Sequence, residues 1–454
     1  MTVQEITPTA SRTASPRLGS SAALTVLGLA ALLAVMDGTV VAVALNPLAS
    51  AFGTPLAAVV WVTTGYLLAA GSMLPLLGWA TARFGGRQVF LVGLALFVVG
   101  STLAALAWSA PSLIAFRVVQ GFGGGLLEPS SLGLAATLAS RDRVGRVLGT
   151  MSMIINLAPV LGPVVGGLLL GTGHWQWIFV VNLPFGILVF AAALALIPRN
   201  KPAADAPRPA ADLRGLALLT TGFVGILFAL NRSGWVVVVS AVVGLTLLGL
   251  YVRHALTTKR TPALDLRLLS RPGFAATLTV MGLVGLIMYS QLTSLPIYAE
   301  THHYVRGLLV SALGVGLLVS MTLGGRISDR TGPRPLVRAG SLVTAAGLAT
   351  FAVWHDQLSL PALFALFVAV GLGFGLTASP TFASAYRTLP QAEQPQGTTA
   401  LFMTVQLTAS LGVTLLGVLQ TRTPEHWITI LFTVLTAAAL TICALSRFLP
   451  GRNH

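Results

Sequence analysis

The sequence is short of charge, shorter still of acid, and nearly free of cysteine. Only 9% of its 454 residues are Asp, Glu, Lys or Arg, against roughly 25% in a soluble domain. Acids number 12 and Lys plus Arg 27, for a net charge of +15. In a soluble chain that excess would suggest nucleic acid, but the positions of the arginines, given below, assign it to a membrane. The single cysteine, Cys443, rules out an internal disulfide and a cysteine metal site. No GxxxxGK[ST] phosphate loop occurs, which excludes direct use of ATP through that motif. No nucleophile–base constellation stands out. Glu300, His302 and His303 share one short polar stretch, but adjacent histidines point apart, and a solvated loop is expected rather than a metal site or pH sensor. The chain therefore reads as a non-enzyme with no cofactor and no metal.

What is abundant is apolar: 55% of the residues. Fourteen apolar segments are expected, at about 22–46, 57–80, 87–109, 111–138, 144–171, 176–198, 215–231, 235–252, 273–298, 305–325, 335–354, 360–385, 397–419 and 427–449. Most reach the ~20 residues that a bilayer-crossing helix needs; the seventh and eighth are the shortest. The expected fold class is an all-α polytopic membrane protein with 14 transmembrane helices. A polar stretch, residues 1–20, reads as a cytoplasmic tail before an uncleaved first helix. Twenty-three of the 27 basic residues fall on one side of this alternation. Arg232, Arg306 and Arg422 fall on the other, and Arg117 lies within a segment. By the positive-inside rule both termini are cytoplasmic.

The sequence also repeats. Gly78-Trp-Ala-Thr-Ala82-Arg83-Phe-Gly85-Gly-Arg87 follows segment 2, and Gly325-Arg-Ile-Ser-Asp329-Arg330-Thr-Gly332-Pro-Arg334 follows segment 10. Both resemble the short cytoplasmic loop of the major facilitator superfamily, G-x-x-x-D-R-x-G-x-R/K, found between the second and third helices of each six-helix half. The second copy is intact; the first has Ala82 in place of the acid. Residues 157–171, LAPVLGPVVGGLLLG, hold Pro159, Gly162, Pro163, Gly166 and Gly167, a bendable face on which a second helix can pack closely. This string resembles the antiporter motif on the fifth helix of drug:proton exporters in that superfamily. Trp175-Gln-Trp177-Ile-Phe179 and Asn182-Leu-Pro184-Phe-Gly186 resemble the signature that opens their sixth helix. The resemblance implies the 14-span branch: a half at 21–198, linkers and an inserted helix pair at 199–272, a second half at 273–449, and a tail at 450–454.

Three charged residues fall deep inside apolar segments: Asp37, Arg117 and Glu128. Charge at that depth is costly and marks function by default, with a structural ion pair as the plainer alternative. Asp37 lies in a stretch resembling the exporters' first-helix signature, with Ala42 where they have Asn. Arg117-x-x-Gln120-Gly121 resembles the motif to which proton transfer is usually attributed. Arg117 and Glu128 are eleven residues apart, about 16 Å along one helix face, and Arg117 is expected to pair with Asp37. Glu128 departs from the family pattern, and both a proton site and a counter-charge for substrate are open to it. The polar residues Asn156, Asn182, Tyr289, Gln291, Thr377, Ser379, Thr381 and Gln406 and the apolar Met288, Phe374 and Phe402 are further cavity candidates, each polar one being a packing hydrogen bond by default.

The resemblance implies a multidrug efflux permease of the cytoplasmic membrane. It would export lipophilic molecules, cations included, by alternating access, driven by a proton gradient and acting as a monomer. The glycine-proline face of segment 5 would seal the halves, and Asp329 with Arg330 would latch the cytoplasmic side. A dedicated exporter of one endogenous metabolite or antibiotic is the alternative on the same scaffold. A transport-inactive sensor or channel is the alternative of another class.

Overall fold

The computed structural model describes residues 18–59, 61–139, 143–199, 212–230, 234–258, 262, 264–302, 308–390 and 393–450. Residues 1–17 and 451–454 of the expected tails, most of the first linker and His303 lie outside them. Glu300, Asn156, Pro159, Pro163, Gly325 and Asp329 sit on helical backbone, but their side chains are also outside the described residues.

Helices make up the ordered chain, and the described residues contain no strand. In order they are α1 (Leu18–Phe52), α2 (Leu56–Val59), α3 (Trp61–Phe84), α4 (Gly86–Ala105), α5 (Ala110–Leu138), α6 (Val144–Asn156), α7 (Ala158–Leu170), α8 (Trp177–Val180) and α9 (Asn182–Leu196). Then follow α10 (Leu213–Leu230), α11 (Trp235–Thr257), α12 (Pro272–Thr301), α13 (Leu308–Thr331), α14 (Pro333–Trp354), α15 (Leu360–Thr388), α16 (Gln394–Arg422) and α17 (Trp427–Leu445). Each of the fourteen apolar segments lies on one helix or on a broken pair. Among the described residues, twelve helical stretches are long and apolar enough to cross a membrane. Neither α5 nor the α6–α7 pair is among the twelve. Helix α5 carries Arg117, Gln120, Glu128 and four glycines between 121 and 125, which dilute its apolarity.

Prolines place the breaks. Pro159 lacks the N–H that the Ile155 carbonyl would accept in a continuous helix. The chain turns at Leu157, whose N–H bonds the Ile154 carbonyl at 3.2 Å, and α7 restarts from there.

The two halves pack alike. In the first, α3 and α4 lie on α5; in the second, α13 and α14 lie on α15. The halves then meet reciprocally: α3 of the first packs on α16 of the second, and α13 of the second packs on α6 of the first. Helix α10 packs on α3 and also reaches α16, where the Thr414 hydroxyl donates to the Leu230 carbonyl at 2.6 Å. Helix α11 covers α10 and presents Trp235, Val238, Val242 and Leu245 outward, as a helix facing lipid does.

The repeated loop has a structural role in both copies. Gly85 (φ 87°) and Gly332 (φ 81°) sit in the left-handed region just before α4 and α14, where a side chain would be strained. The Arg87 guanidinium donates to the Leu194 carbonyl at 2.7 Å, and Arg334 Nε to the Leu449 carbonyl at 2.7 Å. The first bond ties the loop to α9, the last helix of its half, and the second ties it to the turn that follows α17. Both bonds run within one half and leave the cytoplasmic latch expected of Asp329 and Arg330 untouched. Gly78 is buried in α3, Arg83 is half-buried and Arg330 is exposed.

Gly316 lies at one of the closest helix approaches in the second half. A Cβ there would meet the Val368 carbonyl oxygen and lie 2.6 Å from the Leu372 nitrogen. Gly249 on α11 has nothing within 4 Å. Gly316→Ala should therefore lower stability by roughly 1–3 kcal/mol, and Gly249→Ala should leave it unchanged. Thermal unfolding of the purified proteins in detergent checks the contrast.

Candidate functional site

Asp37 is the centre of a closed polar knot inside the first half. It sits near the end of the apolar stretch Ser21–Val41 of α1, and its side chain is shut off from solvent. Both carboxylate oxygens are engaged. Oδ2 forms an ion pair with Nη1 of Arg117 from α5. Oδ1 accepts from the Gln120 amide at 2.9 Å and the Asn182 amide at 2.8 Å. The Ser101 hydroxyl from α4 accepts from the same two amides, at 3.2 and 3.0 Å, and donates to the Phe179 carbonyl at 3.0 Å.

Arg117 is fully buried and is held from several directions. Nη1 also donates to the side-chain Oε1 of Gln120 at 2.7 Å, and Nε to the Val62 backbone carbonyl at 3.3 Å. The guanidinium carbon lies 4.2 Å from the centre of the Tyr66 ring, a cation–π distance. Tyr66 in turn donates to the Ala34 carbonyl at 3.2 Å, one turn before Asp37. The knot thus joins α1, α3, α4, α5, α8 and α9. Helical spacing explains its local form: Arg117 and Gln120 are three residues apart, on one face of α5. Nη2 of Arg117 has no hydrogen-bond partner among the described residues. A buried ion pair left partly unsatisfied is costly, and such a pair is weak evidence for stability alone.

Glu128 is elsewhere. It lies on the wall of a cavity between the halves, with Val35, Leu132, Ser152 and Ile155 from the first half. The second half contributes Met281, Val284, Met288, Tyr289, Met321, Phe374, Phe382, Phe402 and Val405. No hydrogen bond or ion pair to Glu128 is present among the described residues. The cavity is apolar, with a few polar groups, the usual make-up of a small-molecule site. Val35 on α1 lines it two residues from Asp37, and Glu128 is on the same helix as Arg117. The polar knot and the cavity therefore share two helices.

Several expected cavity residues take other places. Asp37 and Asn182 belong to the knot. Gln291 is buried and donates to the Ile287 carbonyl at 3.2 Å. Gln406 is not among the residues that line the cavity. Gly162 and Gly166 face α1: a Cβ on Gly162 would strike the Thr39 side chain, and one on Gly166 would lie 3.3 Å from the Val40 carbonyl. The Thr39 hydroxyl reaches the Ala158 carbonyl across this contact at 3.3 Å. Gly167 has nothing within 4 Å. Gly162 and Gly166 of α7 thus close on α1 within one half, while α13 of the second half meets mainly α6 and also touches α7. Of the face expected to seal the halves, Gly162 and Gly166 therefore pack within the first half. Ser101 and Tyr66 were not singled out from sequence; each sits in an ordinary apolar run with no spacing signal.

The family model described as Major Facilitator Superfamily matches residues 27–413. The chain is similar to the multidrug resistance protein B homolog of Mycobacterium tuberculosis (strain ATCC 25618 / H37Rv), at 35% identity over 411 residues, covering 88% of this chain and 76% of the relative. It is also similar to the lincomycin resistance protein LmrB of Bacillus subtilis (strain 168), at 28% identity, covering 85% of this chain and 82% of the relative. Among solved structures, the proton:xylose symporter XylE bound to 6-bromo-6-deoxy-D-glucose superposes with a TM-score of 0.69 at 15% identity, covering 95% of this chain and 96% of that one. A bacterial homologue of the iron transporter ferroportin in its outward-facing state gives 0.67 at 14%, covering 94% and 98%. At such identities these structures speak for the fold alone.

Removing one partner of the buried pair strands the other's charge. Arg117→Met should lower stability by about 3–5 kcal/mol. The double variant Asp37→Leu/Arg117→Met should recover a large part of that loss. A thermal-unfolding cycle of the two single variants and the double variant measures it, and additive losses would contradict the pairing.

Proposed function

This chain belongs to the major facilitator superfamily, and we propose that it is a proton-coupled exporter of lipophilic molecules, cations included, from the cytoplasm. The observation that carries the reading is the juxtaposition of the Asp37–Arg117 knot with an apolar, acid-bearing cavity on the same two helices. Relatives named for multidrug and lincomycin resistance support the substrate class.

In this mechanism the two halves rock about the cavity in alternating access. Proton arrival at Asp37 neutralises its carboxylate and removes the charge that holds Arg117. The guanidinium, already short of one partner, then shifts on α5 and moves the cavity wall with it. Return of the proton to the cytoplasmic side restores the pair. Glu128 supplies the counter-charge for a cation while Met288, Phe374 and Phe402 bury its apolar body.

Fourteen spans are part of the same reading. Helix α5 and the α6–α7 pair join the twelve apolar stretches, giving two six-helix halves around the inserted pair α10–α11. Both termini lie in the cytoplasm, and the membrane is the cytoplasmic one.

Ethidium uptake into inverted vesicles tests the function. Accumulation should require a proton gradient, and Asp37→Asn should abolish it. Glu128→Gln should weaken ethidium transport about tenfold while sparing a neutral lipophile, since a lost charge contact in a dry site is worth on the order of 1–3 kcal/mol. Gradient-driven accumulation that survives in Asp37→Asn would sink the proton-coupling role.

Single-cysteine variants near Leu18 and Leu449 should react with an impermeant thiol reagent only from the cytoplasmic side. Labelling of the two ends from opposite sides would contradict an even number of spans.

A further inference from the structure

From the convergence of Arg334, Arg338 and Arg447 on one cavity beneath α14 and α17, we propose a binding site for the phosphate of an anionic phospholipid. The cavity is lined by these three arginines and Pro335. No acid pairs with any of them among the described residues. One guanidinium is accounted for: Arg334 Nε holds the Leu449 carbonyl at 2.7 Å, which leaves its two Nη groups to the cavity. The Arg447 guanidinium lies 4.6 Å from the centre of the Phe448 ring, a cation–π distance, on an exposed residue open to a headgroup.

Local electrostatics sharpen the point. Helix α14 begins at Pro333 with no side-chain cap and no acid in its first turn, yet Arg334 stands in that turn. Cations at a helix N-terminus oppose the helix dipole. Three like charges at that end repel one another, and a bound anion relieves both penalties. Guanidinium forks match phosphate oxygens in geometry as well as charge.

The internal repeat supplies a control. The bond from Arg334 to Leu449 has its counterpart in the bond from Arg87 to Leu194. Where the second half has Arg338, four residues on, the first has Leu91. Where the second has Arg447, two residues before the accepting carbonyl, the first has Ala192. Closing the bundle therefore needs one arginine, and the other two are additional to the second half.

Lipid is the favoured source of the phosphate. Exposed Leu342 lies one turn beyond Arg338 on the same face of α14, and Phe448 is half exposed beside Arg447. Together they offer an apolar path for an acyl chain above the headgroup. The assignment to the inner leaflet rests on the cytoplasmic orientation proposed above, whereas the binding itself does not depend on transport.

The test uses the full chain in detergent, titrated with phosphatidylglycerol, phosphatidylcholine or inorganic phosphate while thermal unfolding is followed. Phosphatidylglycerol should stabilise the wild type well below the concentration at which phosphatidylcholine does. In Arg338→Gln/Arg447→Gln its half-saturating concentration should rise roughly thirtyfold, at about a factor of five for each arginine near a lipid surface. An unchanged preference in the double variant would overturn the site. Equal stabilisation by inorganic phosphate would overturn lipid as the source. Native mass spectrometry of the wild type in mixed lipids is independent of the variants, and equal retention of the two lipids would also overturn the proposal.

Discussion

The first half is organised around a carboxylate and a guanidinium held together out of reach of water. Neither Asp37 nor Arg117 could occupy its position alone, because an isolated charge at that depth costs several kcal/mol. Each therefore requires the other, together with the amides of Gln120 and Asn182 and the Ser101 hydroxyl. That requirement draws α1, α4, α5 and α9 to one point. In the proposed mechanism the same requirement makes the pair responsive. One proton on Asp37 removes the charge on which the whole arrangement depends.

The seam between the halves follows a different rule. Contacts there join α3 with α16 and α6 with α13, a reciprocal pairing that follows from the internal repeat. Around the cavity the walls are unequal. Glu128 stands on the first half, while aromatic and methionine side chains come mostly from the second. A molecule bound there would meet charge on one side and polarizable apolar surface on the other.

Much of this was legible in the sequence. The apolar runs fall on the helices, and twelve helical stretches are long and apolar enough to cross a membrane; in both copies of the repeated loop a glycine of positive φ precedes the next helix. Asp37 and Arg117 were visible because charge in an apolar run has few explanations. Their partners were not all visible. Ser101 and Tyr66 are unremarkable within their segments and gain meaning only when α3 and α4 are packed. Asn182, read by default as a packing hydrogen bond, makes one, but spacing did not show that its acceptor is Asp37. The glycine face of α7 was read as lying on the seam. Spacing shows that a helix can approach closely, but not which helix does; here α1 meets Gly162 and Gly166.

The account depends on Asp37 exchanging a proton during the cycle. Infrared difference spectroscopy of the reconstituted protein, with and without bound substrate, reads that exchange directly. A protonated-carboxyl band that changes on substrate binding in the wild type and is absent in Asp37→Asn is the expected result. A band that persists unchanged in Asp37→Asn, or no carboxyl change in the wild type, would contradict the account and leave the Asp37–Arg117 pair as a structural tie alone.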